Sequence, residues 1–284
     1  MSKLMRRPTS SHVRNCITRP ARYDFSRLSA SRRHTPHEPT RLRGAQPAER
    51  SIRVLSKEGG KLPSDFGLLE NTFIAPTAAN RPSIWKSPLV VLHLERTRLL
   101  ARARDLLSLL ISKFSSPKQP GFCTRAFSIN RSAMAPTALA LHRQMYLSFA
   151  EGDSAALRKI CLDGILDNLS VRIASRPREE KLVWELVKYN GSARLVSNRA
   201  AKTPIDGMLI HQSVVKISST QKLTRYTRAR NGELQQIPGS GREKDVVENL
   251  VLQRTTTQWK PGSWMIWGTA KETTIEDIEK WNKV

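Results

Sequence analysis

Hydrophobic residues follow two regimes along this chain. Up to about residue 66, large apolar residues are few and keep no period among Arg, Ser, Pro and Thr. Such a stretch cannot bury enough surface to offset the entropy of ordering, and it reads as a disordered basic tail. From Ala133 onward apolar residues recur regularly and can build a core. Two pieces lie between. Residues 66–83 carry Leu68, Leu69, Phe73 and Ile74 ahead of Pro76 and Pro82 and read as an extended linker suited to lie on another surface. Ser87 and Pro88 then open a helix to about Phe114, with Ser at the cap and Pro in the first turn, where its missing N–H costs nothing. In that helix Leu92, Leu99, Ala103, Leu106 and Leu110 share one face, and Glu95, Arg98, Arg102 and Asp105 a neighbouring one, which makes it amphipathic and basic. A basic linker with Pro and Gly, Lys118 to Arg131, follows.

The second half begins with three helices. Thr137 is a cap for the first, which runs through Leu139, Leu141, Met145 and Phe149 until Gly152 breaks it. Asp153 caps a short second one through Leu157 and Ile160, and a third runs from about Gly164 to Ala174, ahead of Pro177. The pattern then turns strand-like over 181–189, 193–199, 208–218, 221–230, 245–254 and 263–269. Turn residues punctuate it at Asn190-Gly191, Asn231-Gly232, Gly239 to Gly241 and Lys260-Pro261-Gly262-Ser263, the last suited to a type II turn. A helix from about Thr274 to Trp281 closes the chain. Helices segregated ahead of antiparallel strands give the α+β class, with helices packed on one face of a curved sheet. The expected organisation is a presequence and tail over 1–66, a basic extension with its amphipathic helix over 67–132, and a folded α+β domain over 133–284.

Charge sharpens this division. The net charge of +24 is unevenly placed: residues 1–132 hold 25 Lys and Arg against 8 Asp and Glu, and residues 133–284 hold 23 against 16. Like charges weaken a compact state, so the basic forward half points to a polyanion outside the protein, either nucleic acid or an anionic membrane face. Arg6, Arg7, Arg14, Arg19, Arg22, Arg27, Arg32 and Arg33, interleaved with Ser and Thr and with Asp24 as the sole acid before Glu38, have the chemistry of a mitochondrial presequence. Processing within the first few dozen residues is expected. Cys16, Cys123 and Cys161 lie far apart, which fits neither a disulfide framework nor a CxxC metal site. No run approaches 18 uninterrupted apolar residues, so membrane contact is expected to be peripheral.

Candidate chemistry is sparse. Glu185, Asp206, His211 and Glu248 occur in the strand block, but no spacing places His211 beside a carboxylate, and a lone strand histidine is expected to be packed or solvated. Glu248 stands in an apolar strand and is expected to pair with Arg or Lys across the sheet. Gly239-Ser240-Gly241-Arg242 lacks the spacing of a phosphate-binding loop and reads as a hairpin loop. Trp264 and Trp267 differ by an odd number, so one strand shows them on opposite faces. No catalytic residue, metal, cofactor or small-molecule substrate is expected. The candidate nucleic-acid contacts are Arg96, Arg98, Arg102 and Arg104 of the basic helix with Arg225, Arg228 and Arg230 beside the Asn231-Gly232 turn, where alternating Arg around Tyr226 suits RNA phosphates. Two alternatives stay open: the hairpin charges serve only to keep a sheet edge soluble, and the helix lies in the interface of an anionic bilayer.

Five strings in order bring a family into view: Glu185-Leu-Val-Lys-Tyr, Ala193-Arg-Leu-Val-Ser-Asn-Arg-Ala, His211-Gln-Ser-Val-Val-Lys-Ile-Ser-Ser-Thr-Gln, Val247-Glu-Asn-Leu-Val-Leu-Gln-Arg and Ser263-Trp-Met-Ile-Trp-Gly-Thr. Together they resemble the C-terminal domain of the peripheral matrix subunit of the inner-membrane presequence translocase, a domain shared with mitochondrial large-subunit ribosomal protein forty-five and the inner-membrane ribosome receptor. The likeness covers about 133–284 and extends more faintly over Leu68 to Arg104, and the basic, Pro-punctuated extension places the chain nearest the ribosomal-protein and receptor branch. The resemblance implies a cone-like fold of the nuclear-transport-factor-two type. It implies work in the mitochondrial matrix, peripheral at the inner membrane, where a non-catalytic component or receptor of the large ribosomal subunit holds the translating ribosome near the insertion machinery. The implied partners are that subunit's rRNA and proteins and the insertion machinery, to which the basic charge adds an anionic membrane surface as a candidate. The alternative is the matrix subunit of the import motor.

Overall fold

The computed structural model describes residues 65–121, 124–203, 205, 207–229 and 233–282. The expected presequence and tail, Cys16, Cys123, Asp206, Arg230 and the Asn231-Gly232 turn lie outside the described residues.

The described elements are segregated as the pattern requires. Helix α1 (Pro88–Ser115) precedes α2 (Met134–Glu151), α3 (Ser154–Ile160) and α4 (Asp163–Ala174). Strands β1 (Glu180–Tyr189), β2 (Arg194–Lys202), β3 (Leu209–Arg228), β4 (Leu234–Gln236), β5 (Glu243–Thr257), β6 (Lys260–Pro261) and β7 (Met265–Ala270) follow, then α5 (Ile275–Asn282). This is the expected α+β class: helices against one antiparallel sheet. Gly152 ends α2 in the left-handed region at φ 79°, a conformation glycine adopts without strain, and the Asp153 carboxylate accepts the N–H groups of Ala155 and Ala156 at 2.9 Å to cap α3.

Strand β3 is the spine of the sheet. Its first half pairs with β2 and its second half with β1, both along one edge, while β5 runs along the other edge from Leu209 to Lys222. Alternation sends successive side chains to opposite faces, and both faces are covered. On one, Val215, Ile217, Leu250, Leu252 and Ile266 meet Met145, Phe149, Leu157, Leu166 and Leu169 of α2 to α4. On the other, Val214 and Val251 meet Ile74, Leu68 and Trp267.

Residues 65–75 form a strap across that second face. Gln212 fixes it by accepting the Leu69 N–H at 2.9 Å and donating to the Gly67 carbonyl at 2.6 Å, while the Ile74 N–H reaches Thr273 Oγ1 at 2.8 Å. The surface on which the linker was expected to lie is thus the chain's own sheet. Helix α1 runs beside β2: Asp105 accepts from Ser197 Oγ at 2.7 Å and sits 3.2 Å from Arg199 Nε, and Ser108 Oγ accepts the Ala200 N–H at 3.3 Å. Leu94 and Ala101 of α1 close a small core with Phe73 of the strap and Ile278 and Trp281 of α5, and Leu109 packs with Phe127, Ala200 and Leu209.

Four local expectations are corrected. Segments 208–218 and 221–230 are one 20-residue strand. Ser219 and Thr220, which look like a break, are buried and satisfied, with Thr220 Oγ1 donating to Asp245 at 2.6 Å, so the ladder continues. Lys260 and Pro261 belong to β6, and the reversal is made one step earlier by Gln258 and Trp259 at φ 51° and 62°, the left-handed pair of a type I′ turn. Gly239 to Gly241 is not a hairpin tip, because β4 and β5 both pair with β3 and the loop merely steps between them. Helix α2 starts three residues before Thr137, since Pro136 falls in its first turn and Asn130 Oδ1 accepts the N–H of Ala133.

Candidate functional site

His211 and Glu248 are sealed from solvent and hydrogen-bonded within the fold, while His142 Nδ1, Asn198 Nδ2 and Thr256 Oγ1 are buried without a hydrogen-bond partner. His211 is 1 % exposed, sits 2.6 Å from Asn198 Oδ1 through Nε2, and packs edge-on to Trp264. Burial first, and the Arg254 guanidinium second, push its imidazole down to about 3, so it is neutral at physiological pH. It is the packed histidine the sequence suggests. Glu248 departs from expectation: its partners are not cations across the sheet but His142 Nε2 at 2.9 Å and Tyr146 O–H at 2.5 Å, both from α2. Helix α2 packs over the sheet face from which the carboxylate emerges, well inside β5, and its i, i+4 pair reaches both oxygens. Burial, then the charge of Glu248, lifts the Tyr146 phenol well above its usual range, so it acts as a permanent donor. Glu185 sits 3.7 Å from Lys222 at the surface. Among the described residues no three His, Cys, Asp or Glu side chains gather as metal ligands, and Cys161 is buried with its thiol pushed up to about 12.

Trp264 and Trp267 take opposite faces as their spacing requires, Trp264 against the helix-covered core and Trp267 toward the strap, where its N–H donates to Asp65 at 2.7 Å.

Two surfaces remain. The first is the corner where α4, β1 and the end of β3 meet. Lys181 pairs in register with Tyr226 and the Arg228 N–H donates to the Glu179 carbonyl at 3.1 Å, so Arg178, Lys181 and Arg228 stand together, all exposed. Arg225 is there too but is engaged by Glu180 in a two-pronged contact, with Nη2 to Oε2 at 2.7 Å, which holds the Glu180 carboxyl below its ordinary range. Beside them an open recess of about 610 Å³ runs between the end of α2 and Leu182, and one wall is Arg176, stacked on Phe149 with its guanidinium 4.3 Å from the ring centroid. Strand alternation around Tyr226 reveals Arg225 and Arg228; Arg178 and Lys181 join them only through the β1–β3 register, which local sequence does not display.

The second surface is α1. Val91, Leu94, Ala101, Leu109 and Ser112 are buried on its inward side. The stripe that the pattern singles out, Leu92, Leu99, Ala103, Leu106 and Leu110, faces away from the sheet and is exposed. The helix is apolar over much of its circumference, and the side that docks is the one whose small and polar residues fit β2, which periodicity alone cannot select. Arg96, Arg102 and Arg104 are exposed, whereas Arg98 lies nearer the sheet and pairs with Glu95 at 3.2 Å. The structure thus keeps the two groups of candidate arginines on separate elements.

Comparison with known proteins agrees with the resemblance read from the residues. The family model described as MBA1-like protein matches residues 65–282, which includes the strap and α1 as well as the later domain. The inner membrane mitoribosome receptor MBA1, mitochondrial, of Saccharomyces cerevisiae (strain ATCC 204508 / S288c) is 23% identical over 175 residues, which cover 61% of this chain and 59% of that relative. The match thus spans less than two thirds of the length of that relative.

Proposed function

The chain belongs to the MBA1-like protein family, and from that membership we propose that it is a non-catalytic receptor for the mitochondrial ribosome, working on the matrix side of the inner membrane and attached peripherally. Its task in this reading is to hold the large subunit near the insertion machinery so that hydrophobic nascent segments enter lipid promptly. Among the described residues no helix is long and apolar enough to cross a membrane, in keeping with peripheral attachment.

The observation that carries the ribosomal half is the basic corner. Arg178, Lys181 and Arg228 form no ion pair among the described residues, in contrast to Arg225, and three unneutralised cations on a rigid sheet edge suit the phosphates of rRNA. The charge of Arg225 is met by Glu180, and Arg230 continues the same sequence beyond the described residues.

Co-sedimentation of the full chain with mitochondrial large subunits across a salt gradient tests this. Replacing Arg178, Lys181 and Arg228 by Gln should weaken binding and flatten the slope of log affinity against log salt by about 2 to 3, close to one for each phosphate no longer neutralised. Absence of the wild-type chain from the large-subunit peak at low salt removes the proposal. Retention with the inner-membrane channel after ribosomes dissociate points instead to the import-motor alternative.

A further inference from the structure

Eleven of the nineteen large apolar side chains that are exposed among the described residues fall between Ile84 and Phe114. Along α1, Leu92, Leu99, Leu106, Leu110 and Phe114 make a continuous outward stripe, and Trp85, 95 % exposed, stands just ahead of its first turn. Soluble monomers rarely leave so much contiguous apolar surface uncovered without a partner for it. Charge around the stripe has one sign. Exposed Arg96, Arg102 and Arg104 border it, while both acids of the helix are engaged, Glu95 by Arg81 and Arg98 and Asp105 by Ser197 and Arg199.

We propose that this outward face of α1 is seated in the interface of an anionic phospholipid bilayer, with the leucines and Trp85 among the upper acyl chains and the bordering arginines on headgroup phosphates. The inference rests on the membrane placement proposed above and names the surface that makes it. Charge complementarity selects this occupant. The chain's own residues 1–64 hold 15 Lys and Arg against 4 Asp and Glu, so they bring the same sign as the stripe's border. A second copy of α1 sets arginine against arginine. RNA satisfies the arginines but leaves the leucines in water, whereas a lipid surface satisfies both at once. Tryptophan, with an apolar body and one N–H, suits the headgroup level. The helix lies along the interface, because its inward side is committed to β2 and α5 through Asp105, Leu94 and Ala101.

The test uses the full chain with phosphatidylcholine vesicles prepared with and without cardiolipin. Flotation of the wild type with the anionic vesicles is expected, with a partition at least tenfold lower for the combined Leu92→Ser, Leu99→Ser and Leu106→Ser variant, whose basic residues are all retained. An unchanged Tm verifies that the variant is folded. Lipids brominated on the acyl chain give an independent reading: they should quench the fluorescence of the wild type and leave most of that quenching absent in Trp85→Phe. Flotation that the triple substitution does not diminish, or quenching equal in wild type and Trp85→Phe, overturns the proposal. So does a triple variant that floats normally and loses ribosome binding, since that gives the face to RNA or protein. Failure of the ribosome reading looks different: normal flotation with no co-sedimentation.

Discussion

Two leucines two positions apart on α1 separate the docked side of the helix from the free one. Leu109 is 1 % exposed and packed among Phe127, Ala200 and Leu209, whereas Leu107 is 56 % exposed. Each is changed to Ala, so the small gain in helix propensity is common to both and cancels. Truncating a buried leucine removes the transfer free energy of its side chain and leaves a void, at a cost of about 2–5 kcal/mol. Phe127 reaches this core from an irregular segment that can relax, which puts Leu109→Ala at about 3 kcal/mol. For a domain of this size roughly 2–4 °C of Tm accompanies each kcal/mol, so a fall of about 6–12 °C is expected. Leu107→Ala removes little buried surface and should stay within about 0.5 kcal/mol, or about 2 °C. Scanning calorimetry with urea unfolding of the same proteins gives both numbers. Comparable losses for the two variants, or a larger loss for Leu107, refute the assignment of the inward face, and the free face with it.

Arg199 binds the Glu70 carbonyl of the strap and Asp105 of α1, so Arg199→Ala leaves a largely buried carboxylate without its cation. A loss of about 3 kcal/mol in urea unfolding is expected, with faster hydrogen exchange at Leu69 and Ile74; protection unchanged at those amides counts against the strap being held there. His211 takes its proton at about 3 when folded and at about 6.5 when unfolded, so the unfolded chain binds more protons between those values and stability falls as pH drops through that window, by roughly 5 kcal/mol in full. His211→Gln should show a shallower loss of stability between about pH 6 and 4, and equal slopes contradict a neutral buried ring. Tyr146→Phe removes one of the two partners of Glu248 and should cost about 1–3 kcal/mol, read by urea unfolding, with a change under about 0.5 kcal/mol showing that the carboxylate finds a substitute.

Much of the architecture is written locally. Asp153, Gly152 and Pro88 announce helix ends through capping chemistry that acts within four residues, and the strands declare themselves by alternation. Features set at long range were hidden. Whether Ser219 and Thr220 interrupt a strand depends on Asp245 and Asn190 being there to accept and donate hydrogen bonds. Glu248 found its partners on α2, more than a hundred residues earlier, because helix packing over the sheet rather than strand register decides what meets that carboxylate. The surfaces divide the same way. The stripe of Leu92 to Leu110 is legible as an apolar face, but its orientation follows from Asp105 meeting Ser197 and Arg199, which no periodicity contains. Arg228 stands out in sequence; Arg178 and Lys181 become its neighbours only once β1 has paired with β3.

In the proposed mechanism one chain joins a ribosome to a membrane through two separate surfaces, the β1–β3 corner and the outward side of α1. A three-component flotation tests it most directly: mitochondrial large subunits, anionic vesicles and the full chain are mixed, and the position of the ribosomal RNA is read after centrifugation. Subunits should rise with the vesicles only when the chain is present, and should stay down with either the Leu92, Leu99, Leu106 variant or the Arg178, Lys181, Arg228 variant. Ribosomal RNA that remains in the dense fractions while the wild-type chain itself floats contradicts the claim.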